Sequence, residues 1–225
     1  MTAPDLHALD VDGALRESAD AVADHTRASF LARAALGAGG LMGGGVLLAA
    51  LPGVAAAVST SDIAILNFAL SLEYLERDFY ATGLSSGAAG TGDQATFATT
   101  AHNHETAHVE ALTTLLGSNA IAEPTFDFGS AMSSPAAFLN TAVMLEDLGV
   151  RAYKGQLGAI EGDRARRTAI AFHTVEANHA AWARVLAGEI PTYTGAFEKG
   201  LSMSAVQSQI KKTGFVVSSP PAPTS

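Results

Sequence analysis

His102-Asn-His-Glu105-Thr-Ala-His108 and His173-Thr-Val-Glu176-Ala-Asn-His179 carry one lettering, His-x-x-Glu-x-x-His, about seventy residues apart. About thirty residues upstream of each stands a glutamate with a tyrosine seven places further on: Glu73 with Tyr80, and Glu146 with Tyr153. On a helix, a Glu-x-x-His step sets a carboxylate and an imidazole on neighbouring turns of one face, where both reach a single metal ion. The repetition reads as an internal duplication of two helices, one carrying Glu-x6-Tyr and the next Glu-x-x-His.

The hydrophobic pattern around these motifs is helical throughout. A first stripe opens at a Ser61-Asp62 cap and runs to about Ala81, where Gly83 and the run from Ser85 to Asp93 break it. A second covers about 94–117. A third starts at Pro135, a favoured first-turn residue, and runs to about Ile160. A fourth runs from about Arg164 to Ala187 and stops at Gly188, its Arg164, Arg166 and Arg167 forming a solvated start. Helices of about 22 residues are ~33 Å long. The connection 118–134, at up to ~3.3 Å per residue, can just run that length and start the third helix at the opposite end. The expected fold is all-α: a four-helix bundle with one long crossover joining two helical hairpins. A short helix over about Ser202–Lys212 caps one side, and 218–225 reads as a disordered tail.

Six polar residues fall on the faces that should be apolar. Glu73 continues the row of Leu66 and Ala69, and Glu146 that of Leu139 and Val143; Glu105 and His108 interrupt Phe97–Ala101–Leu112, and Glu176 and His179 interrupt Phe172–Val175–Trp182. A buried, unpaired carboxylate costs several kcal/mol, and four together repel. Two divalent cations would balance four glutamates, and a set of carboxylate oxygen and imidazole nitrogen suits iron, manganese or zinc better than copper(I). Glu76 and Glu110 lie on the flanks of their stripes, as outer or solvated groups. His104 has no counterpart in the second half and reads as a surface residue. His102 and His173 each stand one turn before their glutamate, either partly exposed or as supporting groups behind the ligands. Tyr80 and Tyr153 are either core tyrosines or hydroxyl donors to a ligand across the bundle.

Composition narrows the chemistry. The 225 residues allow one sizeable core. With no cysteine, disulfides, thiolate zinc sites, iron–sulfur clusters and a cysteine nucleophile are excluded. A balance of 22 acidic to 13 basic residues provides no footprint for nucleic acid. Residues 34–58 carry no charge, follow Arg27 and Arg33, and contain Ala55-Ala56-Ala57, as an export signal with a small-residue cleavage site does; a membrane anchor is the alternative. Thr26-Arg27-Ala28-Ser29-Phe30-Leu31 resembles a twin-arginine export motif with Ala28 in place of the second arginine. The chain thus divides into 1–57, a polar region with export signal or anchor; 58–192, the bundle; and 193–225, the short helix and tail. The expected location is exported: periplasm, cell envelope or extracellular.

Ile65-Leu-Asn-Phe-Ala-Leu-Ser-Leu-Glu73-Tyr-Leu-Glu-Arg-Asp-Phe-Tyr80, followed by His104-Glu-Thr-Ala-His108-Val-Glu, resembles the ferritin-like domain family, which includes bacterial exported proteins and plant desiccation-related proteins. The resemblance spans about 61–190 and extends to the ferritin-like superfamily, with rubrerythrin, ferritin and bacterioferritin. It implies a bundle able to hold a dinuclear centre on Glu73, Glu105, His108, Glu146, Glu176 and His179, with two divalent metal ions, iron ahead of manganese, as the expected cofactor. It implies less about activity, for which the leading expectation is an oxidoreductase acting on oxygen or peroxide in stress protection. Metal binding or storage, or a structural desiccation protein without turnover, is the alternative. Rubrerythrin-like peroxidases take electrons from a cysteine-bound iron, which a chain without cysteine lacks; reductant comes from elsewhere, or none is needed. Expected partners are a small-molecule oxidant or metal ions and, in transit, the export machinery, with self-association open.

Overall fold

The computed structural model describes residues 58–192 and 195–218. The export segment, the twin-arginine-like stretch and the tail beyond Ser218 lie outside the described residues.

Four long helices form the body: α1 (Thr60–Ser86), α2 (Asp93–Leu116), α3 (Pro135–Gln156) and α4 (Asp163–Leu186). A shorter α5 (Met203–Thr213) follows. Two strands, β1 (Thr125–Phe126) and β2 (Val216–Ser218), pair antiparallel. The fold is the all-α bundle that the periodicity predicts.

Local chemistry sets the helix ends. Ser59, rather than Ser61-Asp62, caps α1, its hydroxyl accepting the Asp62 N–H at 3.1 Å. Gly83 does not break α1, as its residue type suggests. It lies inside the helix, where an added Cβ would stand 2.7 Å from Cδ2 of the Phe138 ring, so glycine serves packing there. The helix stops at Gly87, whose φ of 81° is the left-handed conformation that glycine adopts without strain. Ser134 caps α3 ahead of Pro135, accepting the Ala137 N–H at 3.1 Å. That helix ends at Gln156, short of Ile160, because Gly155 and Gly158 weaken its last turn, which tightens into a 3-10 turn at Leu157–Ala159.

Side-chain pairs fix the directions. Tyr80 meets Glu146 and Tyr153 meets Glu73, so α1 and α3 are antiparallel. Phe97 packs on Trp182 and His108 on Phe172, so α2 and α4 are antiparallel as well. The short turn after Gly87 reverses α1 into α2; hence α2 and α3 run the same way and their connection must travel the length of the bundle. Asn67 of α1 clamps that crossover, donating to Asn119 O at 2.8 Å and accepting from Ile121 N at 2.9 Å. At the common end of α1 and α4, the buried Asp62 carboxylate accepts the N–H groups of Glu161 and Gly162 at 2.9 and 2.8 Å. Further on, β1 in the crossover takes β2 as its partner, which places Ser218 in a strand rather than in the tail. A two-residue edge has no sequence signature; its register exists only once α5 has docked. That docking rests on Val206, fully buried against Phe68, Leu72, Leu148 and Ala152.

The core is in two parts. Phe79, Tyr80, Phe97 and Phe138 centre one apolar cluster, and Leu66, Leu70, Leu112 and Phe172 centre the other. Between them lies a polar layer. No helix among the described residues is long and apolar enough to cross a membrane.

Candidate metal centre

Glu73 of α1, Glu105 and His108 of α2, Glu146 of α3, and Glu176 and His179 of α4 fill that layer. The four glutamates are fully buried, and the two histidines are 6% and 2% exposed. They form two overlapping groups. Glu73, Glu105, His108 and Glu176 bring one ligand atom each within 4.8 Å of one another, and so do Glu105, Glu146, Glu176 and His179. Glu105 and Glu176 belong to both groups, while Glu73 with His108, and Glu146 with His179, serve one each.

The contacts inside the layer are close and unsatisfied. His108 Nδ1 lies 3.0 Å from Glu73 Oε2, 2.9 Å from Glu105 Oε2 and 3.2 Å from Glu176 Oε1. A single ring nitrogen cannot donate to three oxygens. His179 Nδ1 stands 3.0 Å from Glu105 Oε1 and 3.4 Å from Glu146 Oε2 without the alignment of a hydrogen bond. Consequently Glu105 Oε1, Glu146 Oε2, both Glu176 oxygens and His179 Nδ1 are buried with no hydrogen-bond partner. Orphaned groups of this kind each cost about 1–3 kcal/mol, and more when charged. Hard oxygen donors and imidazole nitrogens converging without partners are what a divalent cation requires, so the residues could hold such ions.

Burial and mutual charge set the proton affinities in the layer. Burial pushes the Glu146 carboxyl up to about 7 against the opposing pull of His179. Glu105 is raised as well, by burial and by the charge of Glu176. Burial disfavours a charged ring at His108 and His179, but the charge of Glu73 on the former and of Glu146 on the latter outweighs it, raising both. Glu176 goes the other way: burial would raise it, and the nearness of both histidines holds it below the carboxylate range.

The tyrosines act across the bundle. The Tyr80 hydroxyl of α1 donates to Glu146 Oε1 of α3, and the Tyr153 hydroxyl of α3 donates to Glu73 Oε1 of α1. Each unshared glutamate therefore has one oxygen tied and one turned to the layer. His102 and His173 do not join in: each ring is half-buried, and its buried Nδ1 has no partner. Glu110 is exposed.

Two residues acquire roles that their sequence positions do not announce. Glu76 is 3% exposed. Its carboxyl is raised by burial and by the charges of Glu176, Glu146, Glu105 and Glu73, and it fills the room left by Gly149. His104 is exposed, as a surface residue should be, yet its Nδ1 lies 2.9 Å from His179 Nε2 and the two rings stack at 5.1 Å. Its lack of a counterpart in the duplicate is the one sequence signal that sets it apart.

Helix order, the long crossover and two Glu-x-x-His helices around a buried carboxylate–imidazole layer define a ferritin-like bundle. A family model for the ferritin-like domain matches residues 61–189, more than half of the chain, and the chain belongs to that family. A search of curated proteins finds no match.

Proposed function

We propose that the bundle binds two divalent metal ions, iron ahead of manganese, and acts as an oxidoreductase on oxygen or peroxide. Glu105 and Glu176 are the shared ligands; Glu73 with His108 completes one position, and Glu146 with His179 the other. The observation that carries this reading is the set of five buried, partnerless atoms on Glu105, Glu146, Glu176 and His179. Bound metal would supply the redox electrons and the Lewis acidity at the centre. The protein does the rest. Tyr80 and Tyr153 hold Glu146 and Glu73 with one oxygen free. The Phe97 and Phe172 clusters above and below exclude water. Protons displaced from His108, His179 and Glu146 leave as ions enter, so loading acidifies the solvent. The uncharged stretch 34–58 and its preceding arginines support an exported location.

Metal analysis of protein purified without oxygen, followed by oxygen- and peroxide-consumption assays with added iron(II), tests this. Two equivalents of metal and repeated turnover are expected. Two equivalents taken up once without turnover would instead mean storage. Less than one equivalent, with the fold unchanged by chelator, would mean a structural bundle and overturn the reading.

A further inference from the structure

The duplication that builds the centre is broken on one side of it. His104 aligns with Val175 of the second repeat, just as Glu105 aligns with Glu176 and His108 with His179. When Nδ1 of a histidine binds a metal ion, its proton resides on Nε2 and needs an acceptor; that acceptor fixes the ring and raises its basicity. His179 has one, because His104 Nδ1 lies 2.9 Å from His179 Nε2. His108 has none among the described residues, and the Phe172 ring lies over it at 3.9 Å. A second break lies between the two α1–α3 pairs. Glu76 follows Glu73 by three residues, whereas the corresponding position after Glu146 is Gly149. Glu76 Oε1 and Glu176 Oε2 lie 3.2 and 3.7 Å from where a Gly149 Cβ would sit. Glu176 Oε2 is the oxygen of that carboxylate that approaches His179, at 3.8 Å, while Oε1 faces His108. The extra carboxyl therefore stands beside the shared Glu176, and the asymmetry between the two positions rests on His104.

We propose that the two cation positions are inequivalent by construction: the one framed by Glu146 and His179 fills first and holds its ion more tightly, with His104 as its positioning residue. This rests on the two-metal reading above. Stepwise addition of manganese(II) to metal-stripped full-length protein, followed by calorimetry and electron paramagnetic resonance, tests it. The expected result is two binding steps at least about tenfold apart, with the signal of an isolated ion at one equivalent and of a coupled pair at two. His104→Ala weakens the first step by roughly 10- to 100-fold and leaves the second. His104→Asn, which sets an amide oxygen where Nδ1 stood, restores it. Glu73→Gln removes only the second step. His104→Asn keeps the acceptor for His179 Nε2 and should hold the parent's metal-free melting temperature, which separates positioning from folding. Two equal steps, or a His104→Ala isotherm identical to the parent's, would overturn the inequivalence while leaving the metal reading intact. Failure to bind any ion would overturn both.

Discussion

Raising the pH of the metal-stripped protein from about 5 to about 8 should destabilise it, the reverse of ordinary acid denaturation. Glu146 shows the size of the effect. Its carboxyl rises from 4.5 to about 7 on folding, because burial penalises the charge. A group with a raised folded pKa holds its proton more tightly in the native state. Its contribution is complete below 4.5 and gone above about 7. At ~1.4 kcal/mol per unit, that single carboxyl accounts for roughly 3 kcal/mol. Glu76 and Glu105 are raised for the same reason and act in the same direction. His108 and His179 add to it, their contributions fading as pH climbs past 6.5 toward their raised folded values. Glu176 has the opposite sign, but its contribution is lost only as pH falls below 4.5, outside the window. For a bundle of this size, 3 kcal/mol corresponds to about 6–12 °C in Tm. Thermal unfolding followed by circular dichroism in excess chelator measures it. Saturating manganese(II) should invert the trend, since protons and ions compete for the same atoms. A metal-free Tm that is flat or rises from pH 5 to 8 would refute the reasoning.

Tyr80→Phe removes the donor to Glu146 Oε1 inside the core and should cost about 1–3 kcal/mol by chemical denaturation, more than Tyr74→Phe, whose hydroxyl touches no carboxylate of the layer. Asp62→Ala leaves the first N–H groups at the α4 start without their acceptor; a loss of about 2 kcal/mol is expected, with faster hydrogen exchange at Glu161 and Gly162. Gly149→Ala gains about 1 kcal/mol in helix propensity but sets a methyl 3.2 Å from Glu76 Oε1, so by chemical denaturation it should be more favourable in a Glu76→Ala background than in the parent. Glu146→Ala should reduce metal occupancy more than Glu76→Ala does, as measured by elemental analysis; equal losses would remove Glu146 from the ligand set.

Much of this was written in one dimension. Helical period, Pro135 and Gly188 bounded the helices, and the matched Glu-x-x-His pairs marked six inward residues, because a helix turns by a fixed angle and a repeat copies its faces. Where a glycine's effect depended on its neighbour, the one-dimensional reading failed. Gly83 reads as a breaker, but the Phe138 ring lying against it makes it part of α1. Glu76 sits about 60° around the helix from Glu73, an angle that permits either solvent or core. It is buried because the residue facing it across the interface happens to be Gly149.

Side-chain periodicity alone specifies which residues of each helix face inward, since that depends only on local backbone geometry. How those faces meet depends on helix direction and axial register, which the crossover and the packing of large rings impose. Pairing of Tyr80 with Glu146, of Tyr153 with Glu73 and of His104 with His179 therefore came into being only with the assembled bundle, as did the convergence of four carboxylates and two imidazoles into overlapping groups.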